Sequence, residues 1–283
     1  MQKIALITDS ACDLDHVDLD RRYVRVLPLT LIFSDGEYRD GVDITHEEVY
    51  QRMVQDLPKT SLPAPGLVRD TFDALIKDGF THILAIHLSS GLSGTFELVS
   101  SIANEYNNVR IEVIDSKILS MGLGFIVRQA TRWIESGLDF DTIVHKVQDM
   151  QPTVKGFFTL KTLEYLRKGG RIGAVQAAIG EILDLKPVIA VNEQGKYVSY
   201  AKTRGRKHAL EKMHDIALDF LSRGKTSIAV LQGDAREEAL VLMERIRNAP
   251  NLVELILRPI SPALVVHTGP GLIGLVMYPH FGE

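Results

Sequence analysis

Short apolar runs alternate with amphipathic helical patterns along almost the whole chain, and this alternation restricts the fold more than any other feature. KIALITDS, THILAIHL, RIEVIDS, TVKGFFTL, SIAVLQGD, LVELILRPIS and LIGLVMY read as strands. YVRVLPLTLIF reads as one further strand, followed by a turn in SDGE with Asp35 and Gly36 as the turn pair. Between the strands, LVRDTFDALIKDG and GFIVRQATRWIESG are helical and close on Gly79 and Gly137. DITHEEVYQRM opens with a capping box in which Thr45 caps and Glu48 reaches back. SGTFELVSSIANEYN, DTIVHKVQDM, TLEYLRKGG, AVQAAIGEILDL, KHALEKMHDIALDFLSRG and AREEALVLMERIRNA supply more helices. PVIAVNEQGKYVSYAKT reads as a hairpin turning at NEQG, and PKTSLPAPG as a Pro-rich loop. Such dense alternation predicts an α/β protein with parallel or mixed sheets covered by helices. The elements are too many for one sheet. We therefore expect two α/β lobes, residues 1–152 and 153–283, parted near Pro152 with a ligand site at strand C-terminal loops.

At 283 residues, with 45% hydrophobic and 24% charged side chains, the chain can bury a sizeable core. A net charge of −4 gives no global attraction to nucleic acid or anionic membrane. The single Cys12 excludes an internal disulfide framework and a multi-cysteine zinc site. MQKIALITDS enters a strand without a basic leader or long apolar run, and no membrane-spanning stretch follows, so a cytoplasmic location is expected.

Several motifs resemble functional signatures without meeting their requirements. GPGLIG (269–274) matches GxGxxG, but nine residues remain after it and they read as strand, not as the helix a dinucleotide site needs. SSGLSGT lacks the lysine and spacing of a phosphate-binding Walker loop, and it is not GxSxG because Gly94 follows Ser93 directly and Thr95 stands where the second glycine must be. A serine hydrolase would need a base, for which His267 and Asp9 are candidates by residue type only. The nine histidines form no HExxH or Cys/His cluster, so no metal site is expected. His16, His46, His145 and His214 fall on helical faces, and His82 and His87 flank or lie in a strand.

Four loops are rich in small hydroxyl residues: ITDS, KTSLP, SSGLSGT and DSKILSMGLG. Three directly follow strands, so they can converge on the C-terminal edge of one sheet. Thr60, Ser61 and Ser93 would supply neutral O–H donors, and SGT opens a helix whose free N–H groups favour an anion. Such a site suits a carboxylate or a phosphate, and the loop does not choose between them. LRKGGRIG and KTRGRK are either solvated turns or an arginine-rich docking surface.

ITDSACDL, KTSLP, HLSSGLSGTFE, VIDSKILSMGLG, TLEYLRKGGRIG and HTGPGLIG together resemble, in order, the DegV family of bacterial fatty-acid-binding proteins. The resemblance spans nearly the whole chain. Phe96 departs from a frequent tyrosine, and LQGD (231–234) from a histidine-containing segment. The resemblance implies an apolar tunnel holding a long-chain fatty acid such as palmitate or oleate, with no other cofactor. It implies that Thr60, Ser93 and His267 hold the carboxylate, with Ser61 and Gly94 beside them. It also implies a non-enzymatic carrier that presents its ligand to a separate ATP-dependent fatty-acid kinase for phospholipid synthesis, with Arg171 and Arg204 facing the partner and only transient membrane contact. The competing readings are an acyl hydrolase or phosphotransfer enzyme built on the Ser93 loop, and a regulatory module binding a small anion.

Overall fold

The structure is a computed structural model that describes residues 2–15, 19–20, 22–179 and 185–280. His16 and most of the GEILDL segment lie outside the described residues. The strands are β1 (Ile4–Asp9), β2 (Val24–Leu27), β3 (Thr30–Phe33), β4 (Gly36–Arg39), β5 (Lys59–Ser61), β6 (His82–His87), β7 (Arg110–Asp115), β8 (Lys155–Thr159), β9 (Val188–Val191), β10 (Tyr197–Ala201), β11 (Thr226–Gly233), β12 (Leu252–Pro259) and β13 (Leu272–Pro279). The helices are α1 (His46–Arg52), α2 (Pro65–Lys77), α3 (Thr95–Ala103), α4 (Met121–Glu135), α5 (Phe140–Met150), α6 (Glu164–Lys168), α7 (Val175–Ile179), α8 (Arg206–Arg223), α9 (Arg236–Ile246) and α10 (Pro262–Thr268).

Three sheets result, and the mixed α/β class expected from the alternation is the one observed. The first is fully parallel, in the order β2-β1-β6-β7. The second is antiparallel, β4-β3-β5. The third is mixed, β10-β9-β8-β13-β11-β12, with only β11 and β12 parallel. All strands before Pro152 lie in the first two sheets and all strands after it in the third. Core packing crosses this division, because one apolar cluster joins Leu88 and Ile118 to Phe158, Leu264 and Leu272.

Every residue of β1 is buried, as a central parallel strand covered on both faces requires. From β1 the chain passes to β2 on one side and later to β6 on the other. This reversal opens a crevice at the C-terminal ends of β1 and β6, where α/β proteins place ligands. The Ser10–Cys12 turn and the SSGLSGT loop emerge there. The loops after β1, β6 and β7 thus share one sheet edge, as expected.

Three local expectations are corrected. YVRVLPLTLIF is two strands in different sheets, because Pro28 has no N–H to continue the ladder. The β3–β4 turn is Ser34–Asp35, and Gly36 already pairs with Phe33. KTS is not loop but β5: Lys59, Thr60 and Ser61 pair with Ile32, Leu31 and Thr30. Its three residues carry no apolar alternation, so pairing alone makes it a strand. ALVVHT forms α10, with Pro262 in its first turn. The Thr45–Glu48 capping box forms as read. Among the described residues no helix is long and apolar enough to cross a membrane.

Candidate functional site

A cavity of about 230 Å³ lies between the parallel sheet's C-terminal edge, β5 and the mixed sheet. Its walls are mostly aliphatic and aromatic, with Leu29, Leu62, Ile118, Phe158, Leu264 and Leu275 among them. Thr60, Ser61, Ser93, Arg171 and His267 also line it. They reach the cavity from four different elements, Thr60 and Ser61 sharing β5. Thr60 projects from β5, Ser93 precedes α3, Arg171 follows α6, and His267 occupies the last turn of α10.

Thr60 Oγ1 lies 2.7 Å from His267 Nε2, so residues 207 positions apart meet at one end of the cavity. Burial, aided by the Arg171 charge, pushes the His267 imidazole down to about 4. The ring is therefore neutral at pH 7, with one nitrogen a donor and the other an acceptor. His267 Nδ1 is buried and has no hydrogen-bond partner among the described residues. It faces Gly169, where any Cβ would overlap it, so the first glycine of KGGRIG is the floor that admits the ring. Arg171 Nη1 donates to Gly169 O (2.7 Å) and Nε to Leu92 O (3.3 Å), tying that floor to the SSGLSG loop.

The Ser93 hydroxyl lies 2.9 Å from the Thr95 hydroxyl, at the start of α3. Ser93 and His267 are not hydrogen-bonded to each other: His267 pairs with Thr60. Asp9, the other residue considered for a hydrolase, is buried against His87 Nδ1 (3.0 Å) and accepts from Leu88 N and Ala11 N. The elements of a Ser–His–Asp relay are present as residue types but bonded to other partners. Gly94 forms the cap position of α3 and does not line the cavity. Arg204 is exposed beside its bridge partner Leu185, also away from the cavity, whereas Arg171 is half-buried in the cavity wall. Among the described residues no cluster of three or more His, Cys, Asp or Glu side chains can hold a metal ion.

Sequence patterns did not single out Tyr197, Ser120 or Gly169. Tyr197, buried on β10, lines the cavity and its phenol is pushed up by burial. Ser120 lines it too and donates its hydroxyl to buried Asp13. It holds a positive φ of 56° at the start of α4, a conformation no periodicity reveals.

The model of the DegV family of uncharacterised proteins matches residues 3–280. The chain belongs to the DegV family. A DegV domain-containing protein of Clostridium perfringens is 42% identical over 275 residues, covering 97% of this chain and 98% of its own. A crystal structure of a fatty acid binding DegV family protein from Streptococcus agalactiae superposes with a TM-score of 0.92 at 32% identity, over 99% of this chain and all of the other. A structure described as a stearic acid-binding protein from Eubacterium ventriosum gives 0.87 at 32% identity, covering 99% and 98% of the two chains. This DegV chain thus shares its whole architecture with those proteins.

Proposed function

We propose that the protein binds a long-chain fatty acid in this cavity and presents the carboxylate to a separate ATP-dependent kinase. The observation that carries the reading is the Thr60–His267 pair, a neutral donor–acceptor pair in the wall of a mostly apolar cavity. The fatty-acid-binding relatives of 32% identity support it. In this reading residues 1–152 and 153–283 are two lobes that close on the ligand, Thr60, Ser93 and His267 hold its head group, and Ser61 borders it, while Gly94 sets the start of α3 next to Ser93.

A neutral His267 donating Nε2–H to Thr60 Oγ1 leaves the Thr60 O–H free to donate to a carboxylate oxygen. Ser93 supplies a second hydroxyl. Burying some fourteen methylenes contributes on the order of 10 kcal/mol before ordering costs, whereas a hydroxyl–carboxylate hydrogen bond contributes roughly 1.5–3 kcal/mol. The tail sets affinity and the hydroxyls set orientation. In the kinase, a carboxylate oxygen attacks the γ-phosphorus of ATP, the bond to the β-phosphate oxygen breaks, and ADP leaves. The acyl phosphate then enters phospholipid synthesis. Neutral donors leave the carboxylate nucleophilic, where an arginine clamp would quench it. Arg171 and Arg204 are the side chains offered to the kinase.

Denaturing the purified protein and extracting it with solvent is expected to release a stoichiometric fatty acid, identified by mass spectrometry. A protein that carries no acyl chain even after incubation with fatty acids would overturn the reading. Ser93→Ala is expected to keep its acyl chain and to slow acyl-phosphate formation by roughly 10- to 100-fold, the loss of one charge-assisted hydrogen bond. An emptied variant with normal turnover would contradict that role. Hydrolysis of esters without a partner would favour the enzymatic alternative.

A further inference from the structure

Ser89 is the first residue of the SSGLSG loop, and its side chain is fully buried. It uses every hydrogen-bonding group it has. Its N–H donates to Ile118 O (2.8 Å), and its carbonyl accepts from Leu92 N (3.0 Å) and Ser93 N (3.1 Å). Its hydroxyl accepts from Gly91 N (3.1 Å) and donates to Gly195 O (2.8 Å). The last bond leaves the loop altogether: Gly195 belongs to the turn between β9 and β10, in the mixed sheet.

The two backbones meet too closely for any side chain. A Cβ on Gly195, whose φ is +70°, would overlap Ser89 Oγ, and a Cβ on Gly91 would lie 2.7 Å from Gly195 O. The turn is itself braced, because Asn192 Oδ1 accepts from Gln194 N (3.1 Å) and Lys196 N (2.8 Å). The strands leaving it carry Val191 and Tyr197, which line the apolar cavity. One buried hydroxyl therefore joins the loop bearing Ser93 to the hairpin bearing two cavity-wall side chains.

We propose that Ser89 is a positioning residue for Ser93, and that the Ser89–Gly195 contact is a latch coupling the acyl-chain wall to the head-group loop. The coupling rests on the fatty-acid reading given above; the latch does not. A chain that seats fully against Val191 and Tyr197 holds the hairpin in place, and the hairpin holds the backbone turn from which Ser93 projects. A chain that leaves this wall unfilled releases the turn and misaims the hydroxyl. Chain fit is thereby translated into head-group alignment.

The test uses the full chain with Ser89→Ala, Gly195→Ala and the double variant, read by amide hydrogen exchange. Each single change is expected to speed exchange at least tenfold at Leu92 and Ser93 and also at Gly195 and Lys196, across the contact. The double variant should exchange no faster than the faster single. Effects confined to the altered side, or multiplying in the double variant, would overturn the latch. If either single variant fails to fold, Asn192→Ala loosens the turn from outside and must give the same two-sided response. A second readout is the carboxyl resonance of bound [1-13C]palmitate, expected to be displaced and sharp in the wild type. In Ser89→Ala it should broaden or move toward the free position. An unmoved carboxyl signal with altered amide exchange would refute positioning. Failure of palmitate to bind the wild type would refute the fatty-acid reading alone, since the amide result stands without ligand.

Discussion

Replacing Gly156 with leucine is expected to expel a C16–C18 fatty acid while leaving the fold intact. Gly156 sits on β8, paired with Val276 of β13, and lines the cavity. A Cβ built there meets Ile118 Cδ1 at 3.5 Å and Val191 Cγ2 at 3.9 Å, ordinary contact distances. The first carbon is thus accommodated, and because both neighbours are cavity walls, the remaining carbons must enter the cavity, which the proposed reading gives to the acyl chain. Removing a glycine from a strand is worth roughly 0.5–1 kcal/mol to the host, which offsets local crowding. Displacing about four methylenes forfeits roughly 3 kcal/mol, or about a hundredfold in affinity for the long chain. A fatty acid shorter by about four carbons should lose far less. Competition between C12 and C16 acids, run beside a denaturant unfolding curve, checks this; unchanged C16 occupancy would show that the chain lies elsewhere.

Asp13→Asn is expected to change how stability depends on pH. The Asp13 carboxyl is buried, accepts Ser261 N–H at 2.8 Å and takes the Ser120 hydroxyl. Burial pushes it up to about 7 from 3.8. The folded state then keeps a proton that the unfolded chain releases near pH 4, so stability falls as pH rises from about 4 to 7, by roughly 4 kcal/mol in all. Buried Asp40, raised to about 6, acts in the same direction. His267, held neutral down to about 4, acts oppositely, losing stability as pH falls below 6.5. Asparagine keeps an oxygen for Ser261 N–H and has no proton to lose. Relative to wild type, the variant should gain about 2–3 kcal/mol between pH 5 and pH 8. Urea unfolding at the two pH values measures this directly, and parallel profiles would mean that Asp13 ionises normally in the fold.

The centre of the parallel sheet was legible because β1 and β6 are almost uniformly apolar runs, and the loops after β1, β6 and β7 could be placed on one edge from strand direction alone. The short antiparallel sheet was not. KTS has no periodic signal in three residues, and its strand character comes from Leu31 and its neighbours supplying backbone partners. The residues of the candidate site were identifiable by motif, one at a time. Their meeting was not: no local rule joins Thr60 to His267, or Gly169 to the imidazole it admits. Ser89 and Gly195 read as an ordinary loop serine and hairpin glycine, and only their contact across 106 positions shows what each excludes.

The Thr60–His267 pair also bears on how such proteins can diverge. Its two members lie on opposite sides of Pro152, and Arg171 and Leu92 repeat the arrangement. A recombinant that takes its front half from one relative and its back half from another must match both contacts at a seam that runs along the cavity wall. On the fatty-acid reading, point substitutions in the cavity walls alter chain preference while leaving that seam untouched.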